Sequence, residues 1–279
     1  MILWIHPPAD LLGSNDTIVT ETDLLEIEYW FRRYARSFAT ADLSVKPVLR
    51  LKEDHCVRVA HGMRKLAAAL KLDGEEVHAA ALSGLLHDVG RFEQYTRYGT
   101  FVDAKSVNHA ELGVQVLMSA KLLDRFTRPV RERILDAVRF HNRAAVPEGL
   151  SEEGSRLACM VRDADKLDIW HIVTAYYESP DKTRINAIDL DLSDSDRISP
   201  EVAHAAESGA LCDVKELRSI NDFKVLQMTW IYDVNYTPAF REIAQRRFME
   251  RIRDALPRTA LVARICRSVR RHLDDGLRR

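Results

Sequence analysis

His87 and Asp88 stand side by side at the end of an apolar, Ala-rich run, Val77 to Leu86, that reads as a buried helix. An imidazole next to a carboxylate at such a place is costly unless something binds both, because unpaired buried polar groups lose their hydration. A divalent metal meets that need, since neutral imidazole and ionised carboxylate suit Zn, Fe, Mn, Co or Ni. Four other residues occupy comparable positions. His55 lies near the start of a helix, His109 in the first turn of another, and His141 at the end of the next. Asp165 sits within Arg162-Asp163-Ala164-Asp165-Lys166-Leu167-Asp168, flanked by apolar neighbours. Each of five successive helices thus contributes a polar group near a helix end or on an otherwise apolar surface, which is how metal sites are built inside helical bundles. The remaining histidines fit worse. His61 is roughly 240° round from His55, His78 faces opposite His87, and His171 is rotated away from Asp165. These three, with His6, His204 and His272 in peripheral segments, read as structural or surface residues.

The elements that must carry these groups are legible as helices. Thr22 can cap a first helix with an apolar face of Leu24, Leu25, Ile27, Tyr29, Trp30 and Tyr34. A second is expected over 53–72, stopped by Asp73-Gly74, and a third over 75–88. A loop rich in Gly, aromatic and charged residues follows at 92–105, and Ser106 then caps a fourth helix with Glu111 in its opening turns. A fifth fits 128–141 with Pro129 in its first turn. Ser151 or Ser155 opens a sixth that runs to about Tyr177. Residues 178–212 turn polar and acidic. Asp189, Asp191, Asp194 and Asp196 lie there without the turn Gly and terminal bidentate Glu of an EF-hand, so they read as a solvated loop. Ser199-Pro200-Glu201 looks like the start of a short helix. Helical pattern resumes at Lys215, with further helices over 240–256 and 260–273. Strand-like alternation is scarce, and the expected fold class is all-α. The division expected is an N-terminal arm and helix (1–49), a metal-binding core (50–180), a polar loop (181–214) and C-terminal helices packed on the core (215–279).

Composition sets the outer bounds. The chain has 279 residues, enough for a substantial core. Its formal net charge of −1 supplies no global drive toward nucleic acid or an anionic membrane. No apolar run of about 18 residues is present, so no spanning helix is expected, and the first eight residues lack the basic region of a signal peptide. Cys56, Cys159, Cys212 and Cys266 are scattered without a CxxC pair, the pattern of reduced cysteines in a cytoplasmic protein. Residues 246–279 hold eleven Arg against four acidic residues. A core-facing stripe of Ala260, Leu261, Ile265, Val269 and Leu273 leaves those arginines to fill the wet face.

With these residues in view, the sequence resembles the HD superfamily of metal-dependent phosphohydrolases, whose signature is a His, then His-Asp, then a distant Asp. His55, His87-Asp88 and Asp165 match in order and context, and the phrases His87-Asp88-Val89-Gly90-Arg91-Phe92 and Ala164-Asp165-Lys166-Leu167 are similar to members of that superfamily. The likeness spans roughly residues 50–180. His109 in Asn108-His109-Ala110-Glu111-Leu112-Gly113 and His141 in Phe140-His141-Asn142 resemble the two extra ligands of the dinuclear subgroup. The Gly-Tyr-Pro signature of the cyclic-di-GMP phosphodiesterases is absent, so that substrate is not carried over. Arg91 replaces the Glu that some mononuclear nucleotidases have three residues after the Asp.

The resemblance implies two divalent ions, iron, manganese or similar, with zinc, cobalt, nickel and magnesium as other candidates. His55, His87, Asp88 and Asp165 would hold the first ion, and His109 and His141 the second, with Asp88 bridging. A hydroxide shared between the ions would attack phosphorus in a small phosphorylated substrate, nucleotide-like in kind. Arg58 lies one turn from His55, Arg91 one turn from His87, and Lys166 beside Asp165; each could reach phosphate or form a surface salt bridge. Tyr95, Tyr98, Phe101 and Lys105 make 92–105 the expected substrate lid, whose aromatics could stack a base or anchor the loop. Two other readings use the same ligands: an HD-type di-iron oxygenase, and a sensor that binds a nucleotide without turnover.

Overall fold

A computed structural model describes residues 18–41, 46–180 and 192–279. Among them there is no strand or sheet, though Ser193 and Ser219 form an isolated parallel bridge, so the chain is all-α as expected. No helix among the described residues is long and apolar enough to cross a membrane. Asp189 and Asp191 fall outside the described residues, whereas Asp194 and Asp196 are exposed. The chain forms two compact units, 1–165 and 166–279, whose boundary falls inside one helix.

In the first unit, α1 (Glu21–Ala41) is opened by Thr20 rather than Thr22. Thr20 Oγ1 accepts from the Asp23 backbone N–H while Asp23 accepts from Thr20, a reciprocal cap. Its buried face is Leu24, Ile27, Trp30, Phe31, Ala35 and Phe38. Leu25 and Tyr29, expected on that face, project into solvent instead because they fall beyond the arc that helical spacing allows. α2 (Lys46–Ala69) begins seven residues before Glu53, with Pro47 in its first turn, where the missing N–H costs nothing. It ends three residues short of Leu72, and Lys71 takes a left-handed conformation. α3 (Gly74–Leu86) is capped by Asp73, which accepts from Glu76 N at 2.9 Å, and every residue from Ala79 to Leu86 is buried.

The helices α2 and α3 approach closely at Gly84. A Cβ there would lie 2.7 Å from Met63 Cγ and 3.0 Å from Ala60 Cα, so the glycine lets the backbones meet. α4 (Gly90–Tyr98) replaces the first half of the expected loop: Phe92, Glu93 and Gln94 are buried in its first turns, and Gly99 ends it with φ 67°. Phe92 packs into an aromatic cluster with Phe31, Tyr34 and Phe38 of α1. α5 (His109–Ser119) is capped by Asn108 rather than Ser106, Asn108 Oδ1 accepting from Ala110 N and Glu111 N. α6 (Arg128–Phe140) has Pro129 in its first turn. α7 (Glu152–Glu178) is opened by Ser151, whose Oγ accepts from Gly154 N, so Ser155 lies inside the helix.

The second unit contains the end of α7, α8 (Pro200–Ser208), α9 (Ile220–Thr229), α10 (Thr237–Gln245), α11 (Phe248–Asp254) and α12 (Ala260–Arg278). They bury a core around Trp170, Phe240, Phe248, Ile265 and Val269. Where a continuous helix over 240–256 was expected, Arg247 adopts a left-handed φ of 54° and breaks it in two. On α12 the buried stripe is Val262, Ile265, Val269, Leu273 and Gly276, with Ala260 exposed. The wet face of α12 carries ion pairs such as Arg264–Glu207 and Arg270–Glu250, and Arg251 of α11 pairs with Glu178.

Candidate metal centre

The site belongs wholly to the first unit. His55 projects from the middle of α2. His87 is the C-cap of α3, and Asp88 follows in a tight turn closed by Val89 N–H to Leu86 O and Arg91 N–H to Asp88 O. The helix expected to end at Asp88 thus ends at Leu86, and the turn sets the adjacent imidazole and carboxylate side by side ahead of α4. His109 is the first residue of α5, His141 the C-cap of α6, and Asp165 lies on α7. His55, His87, Asp88, His109 and His141 are buried, and Asp165 is half-buried.

The two oxygens of Asp88 face different partners. Oδ2 lies 3.8 Å from His55 Nε2 and 3.6 Å from His87 Nε2. Oδ1 lies 3.2 Å from His109 Nε2 and 3.7 Å from His141 Nε2. On the first side, Asp165 Oδ1 is 3.1 Å from His55 Nε2 and 3.7 Å from His87 Nε2. Two overlapping groups result, His55–His87–Asp165 and His87–Asp88–His141, each with ligand atoms within 4.8 Å of one another. Bonds of about 2 Å to one ion need ligand atoms no more than about 4 Å apart, so small side-chain movements would close either group.

The proton positions favour a cation. His87 Nδ1 faces Gly84 O at 2.8 Å and His141 Nδ1 faces Val138 O at 2.7 Å. A carbonyl can only accept, so both Nδ1 atoms carry hydrogen and each neutral ring turns a bare Nε2 lone pair inward. His109 Nδ1 faces both oxygens of Asp103 at 2.8 and 2.9 Å, which fixes the same tautomer. His109 Nε2 and His141 Nε2 are nevertheless only 3.0 Å apart. Two lone pairs at that separation repel unless a proton or a metal ion lies between them. His87 Nε2 has no hydrogen-bond partner at all, although its residue is fully buried. Orphaned acceptors beside two carboxylates are the donor set that a divalent ion satisfies.

Electrostatics keep the ligands in binding form. Burial pushes Asp88 upward, but the Lys52 and Arg91 cations outweigh it and hold the carboxyl well below its ordinary range. Burial likewise opposes ionisation of Asp165, and the facing His55 ring, 3.1 Å away, overcomes it. Desolvation drives His141 down to about 4, which leaves it neutral near pH 7.

Several residues around the site were not singled out by sequence reasoning. Lys52 Nζ lies 2.7 Å from Asp88 Oδ2; it stands three residues before His55, one turn away on α2. Asp103 receives hydrogen bonds from His109, Arg91, Gln94 and Asn142. Arg162, buried on α7, donates to the carbonyls of His141, Arg143 and Ala144, satisfying acceptors at the exposed end of α6. Only Lys52 had a sequence signal, its helical register with His55.

The three cations expected near phosphate have different surroundings. Arg91 contacts Asp88 Oδ1 at 3.3 Å and also donates to Gln94, Phe101 O and Asp103. Arg58 is half-buried on α2. Lys166 begins the second unit and pairs with Asp233 at 2.6 Å. In the expected lid, Tyr95 and Phe101 pack on each other with ring centroids 4.6 Å apart, while Tyr98 and Lys105 are exposed.

Residues 53–170 match the model of the HD domain family, a span that encloses all six clustered residues. No curated protein and no solved structure matches the chain.

Proposed function

We propose that this chain, which carries an HD domain at residues 53–170 and with it the framework of a superfamily of metal-dependent phosphohydrolases, hydrolyses a phosphate ester at a two-ion centre. The observation that carries the reading is the division of Asp88, with Oδ2 turned to His55 and His87 and Oδ1 to His109 and His141. A carboxylate so divided suits a bridge. His55, His87, Asp88 and Asp165 would hold one ion, and Asp88, His109 and His141 the other. Bound there, divalent ions would supply an activated water near neutral pH and polarise a phosphoryl oxygen.

The protein's own groups do the rest. Lys52 and Arg91 put two positive charges beside Asp88, where they can meet the anionic oxygens of an ester. Both cations also lie over the ring of Phe101, at 5.6 and 5.7 Å from its centroid. An aromatic surface edged with positive charge suits a small phosphate compound that carries a ring, a nucleotide or a relative of one. Arg58, one turn from His55 on α2, is a further candidate phosphate ligand.

The test is a panel of phosphomonoesters, phosphodiesters and nucleotides offered to the full chain, purified without chelator and supplied with Mn²⁺ or Fe²⁺. Hydrolysis that disappears in Asp88→Ala, read as inorganic phosphate from a monoester or as the monoester and alcohol products from a diester, supports the reading. Dioxygen consumption without ester hydrolysis would assign an oxygenase instead, and nucleotide binding without turnover a sensor.

A further inference from the structure

We propose that Asp103 is a positioning residue for the second ion, holding Asp88, His109 and His141 in the arrangement that binds it. The inference rests on the two-ion reading above and adds a residue outside the ligand set. Each of the three groups is tied to this one carboxylate. His109 is tied directly, its Nδ1–H donating to Asp103 at 2.8 Å so that Nε2 points at Asp88. Asp88 is tied through Arg91, whose guanidinium spans Asp103 Oδ1 at 3.1 Å and Asp88 Oδ1 at 3.3 Å. His141 is tied through its chain neighbour: Asn142 Nδ2 donates to Asp103 Oδ2 at 3.1 Å and to Asn108 Oδ1, the cap of the helix that His109 begins. Gln94 Nε2 adds a fourth donor at 2.8 Å and pins the carboxylate to α4.

The first position is built on other supports. His87 leans on the Gly84 carbonyl of its own helix, and Asp165 is carried by α7. Removing the Asp103 carboxylate therefore releases the His109 tautomer, takes from Arg91 one of its four partners and loosens Asn142, the contacts that bear on the second side. A partner that orients a ligating histidine is commonly worth about 10–100-fold in metal affinity.

The experiment uses the full chain, stripped of metal by chelation and titrated with Mn²⁺, with bound ions counted after equilibrium dialysis. Wild type takes up two ions. Asp103→Ala keeps the first with an affinity within about threefold of wild type, and binds the second about 10–100-fold more weakly. Asp103→Asn, which retains an acceptor oxygen for His109, falls between the two. Equal weakening of both ions, as general loosening would produce, overturns the proposal, and so does unchanged binding of both. A wild type that takes up a single ion overturns the two-ion reading and this inference with it, an outcome visible before any variant is made. Should Asp103→Ala fail to fold, Asp103→Asn decides alone: a selectively weaker second ion supports the proposal, and wild-type binding refutes it.

Discussion

A methyl group at Gly90 would test how tightly the fold holds the centre together. A Cβ there would stand 2.2 Å from His109 O and 2.6 Å from Gly113 N, both backbone atoms of α5 that no rotamer change can move. Ordinary carbon contacts begin near about 3.5 Å, so α4 must retreat from α5 by roughly 1 Å. Overpacking usually costs about 1–3 kcal/mol, and a clash against backbone on both sides belongs at the upper end, about 3 kcal/mol. For a chain of this size that corresponds to a fall in Tm of about 6–12 °C. Asp88 precedes Gly90 by two residues, and its Oδ1 lies 3.2 Å from the Nε2 of the same His109 whose carbonyl is struck. Gly90→Ala should therefore also weaken binding of the second ion. Gly62→Ala is the control. Gly62 lies inside α2, and its added Cβ would make only an ordinary 3.7 Å contact with Ala164 Cβ, so it should stabilise by about 0.5–1 kcal/mol. Thermal unfolding in excess chelator separates these effects from stabilisation by bound metal. A Gly90→Ala protein that melts within about 2 °C of wild type and keeps its ions would refute the argument that this close approach sets the site.

Asp88→Ala should lose both ions and all hydrolysis while its far-ultraviolet circular dichroism stays helical; near-wild-type metal content would rule out the bridge. His109→Ala and His141→Ala should each lower the Mn²⁺ count from two to one, with hydrolysis falling by orders of magnitude, and unchanged counts would reduce both rings to structural residues. The metal-free protein should lose stability as pH falls from about 6.5 toward 4, because unfolded His141 takes up a proton in that window and the buried folded ring does not. The interval is worth about 3 kcal/mol, and chemical denaturation of His141→Asn across the same pH range should give a visibly flatter profile; matching profiles would show that His141 does not control it.

Helices were legible where burial follows a simple period. The Ala-rich run before His87 and the Pro129 start of α6 both lie where the pattern puts them, because packing there agrees with local propensity. Misreadings came where tertiary contacts override composition. Tyr95, Thr96, Arg97, Tyr98 and Gly99 look like a loop, yet Phe92 anchors the segment among the aromatic rings of α1 and the chain coils into α4. Arg247 gives no sequence sign of the left-handed turn that divides α10 from α11, since Arg has no preference for that conformation. Thr20 and Asn108 displaced Thr22 and Ser106 as caps for a related reason: several neighbouring residues could accept the terminal N–H groups, and chain direction selects among them.

The candidate site divides along the same line. Residues that carry the chemistry had a signal, since His87-Asp88 is a costly pair at the end of an apolar helix and His55, His109, His141 and Asp165 recur one per helix. Residues that prepare the chemistry had almost none. Asp103 is one acidic residue among many in a polar segment, and its four donors come from α4, α5 and the turn after α6, elements that only the folded chain assembles. Which imidazole nitrogen faces inward also depends on a partner: Gly84 O for His87, Val138 O for His141 and Asp103 for His109. Two of those partners are carbonyls of the histidine's own helix, three residues back, a geometry available at any helix C-terminus. His109 begins its helix, where no preceding turn exists to offer a carbonyl, so an acceptor had to come from outside the helix. The position at which the fold needed a side chain to set the tautomer is thus the one at which helix geometry could not supply it.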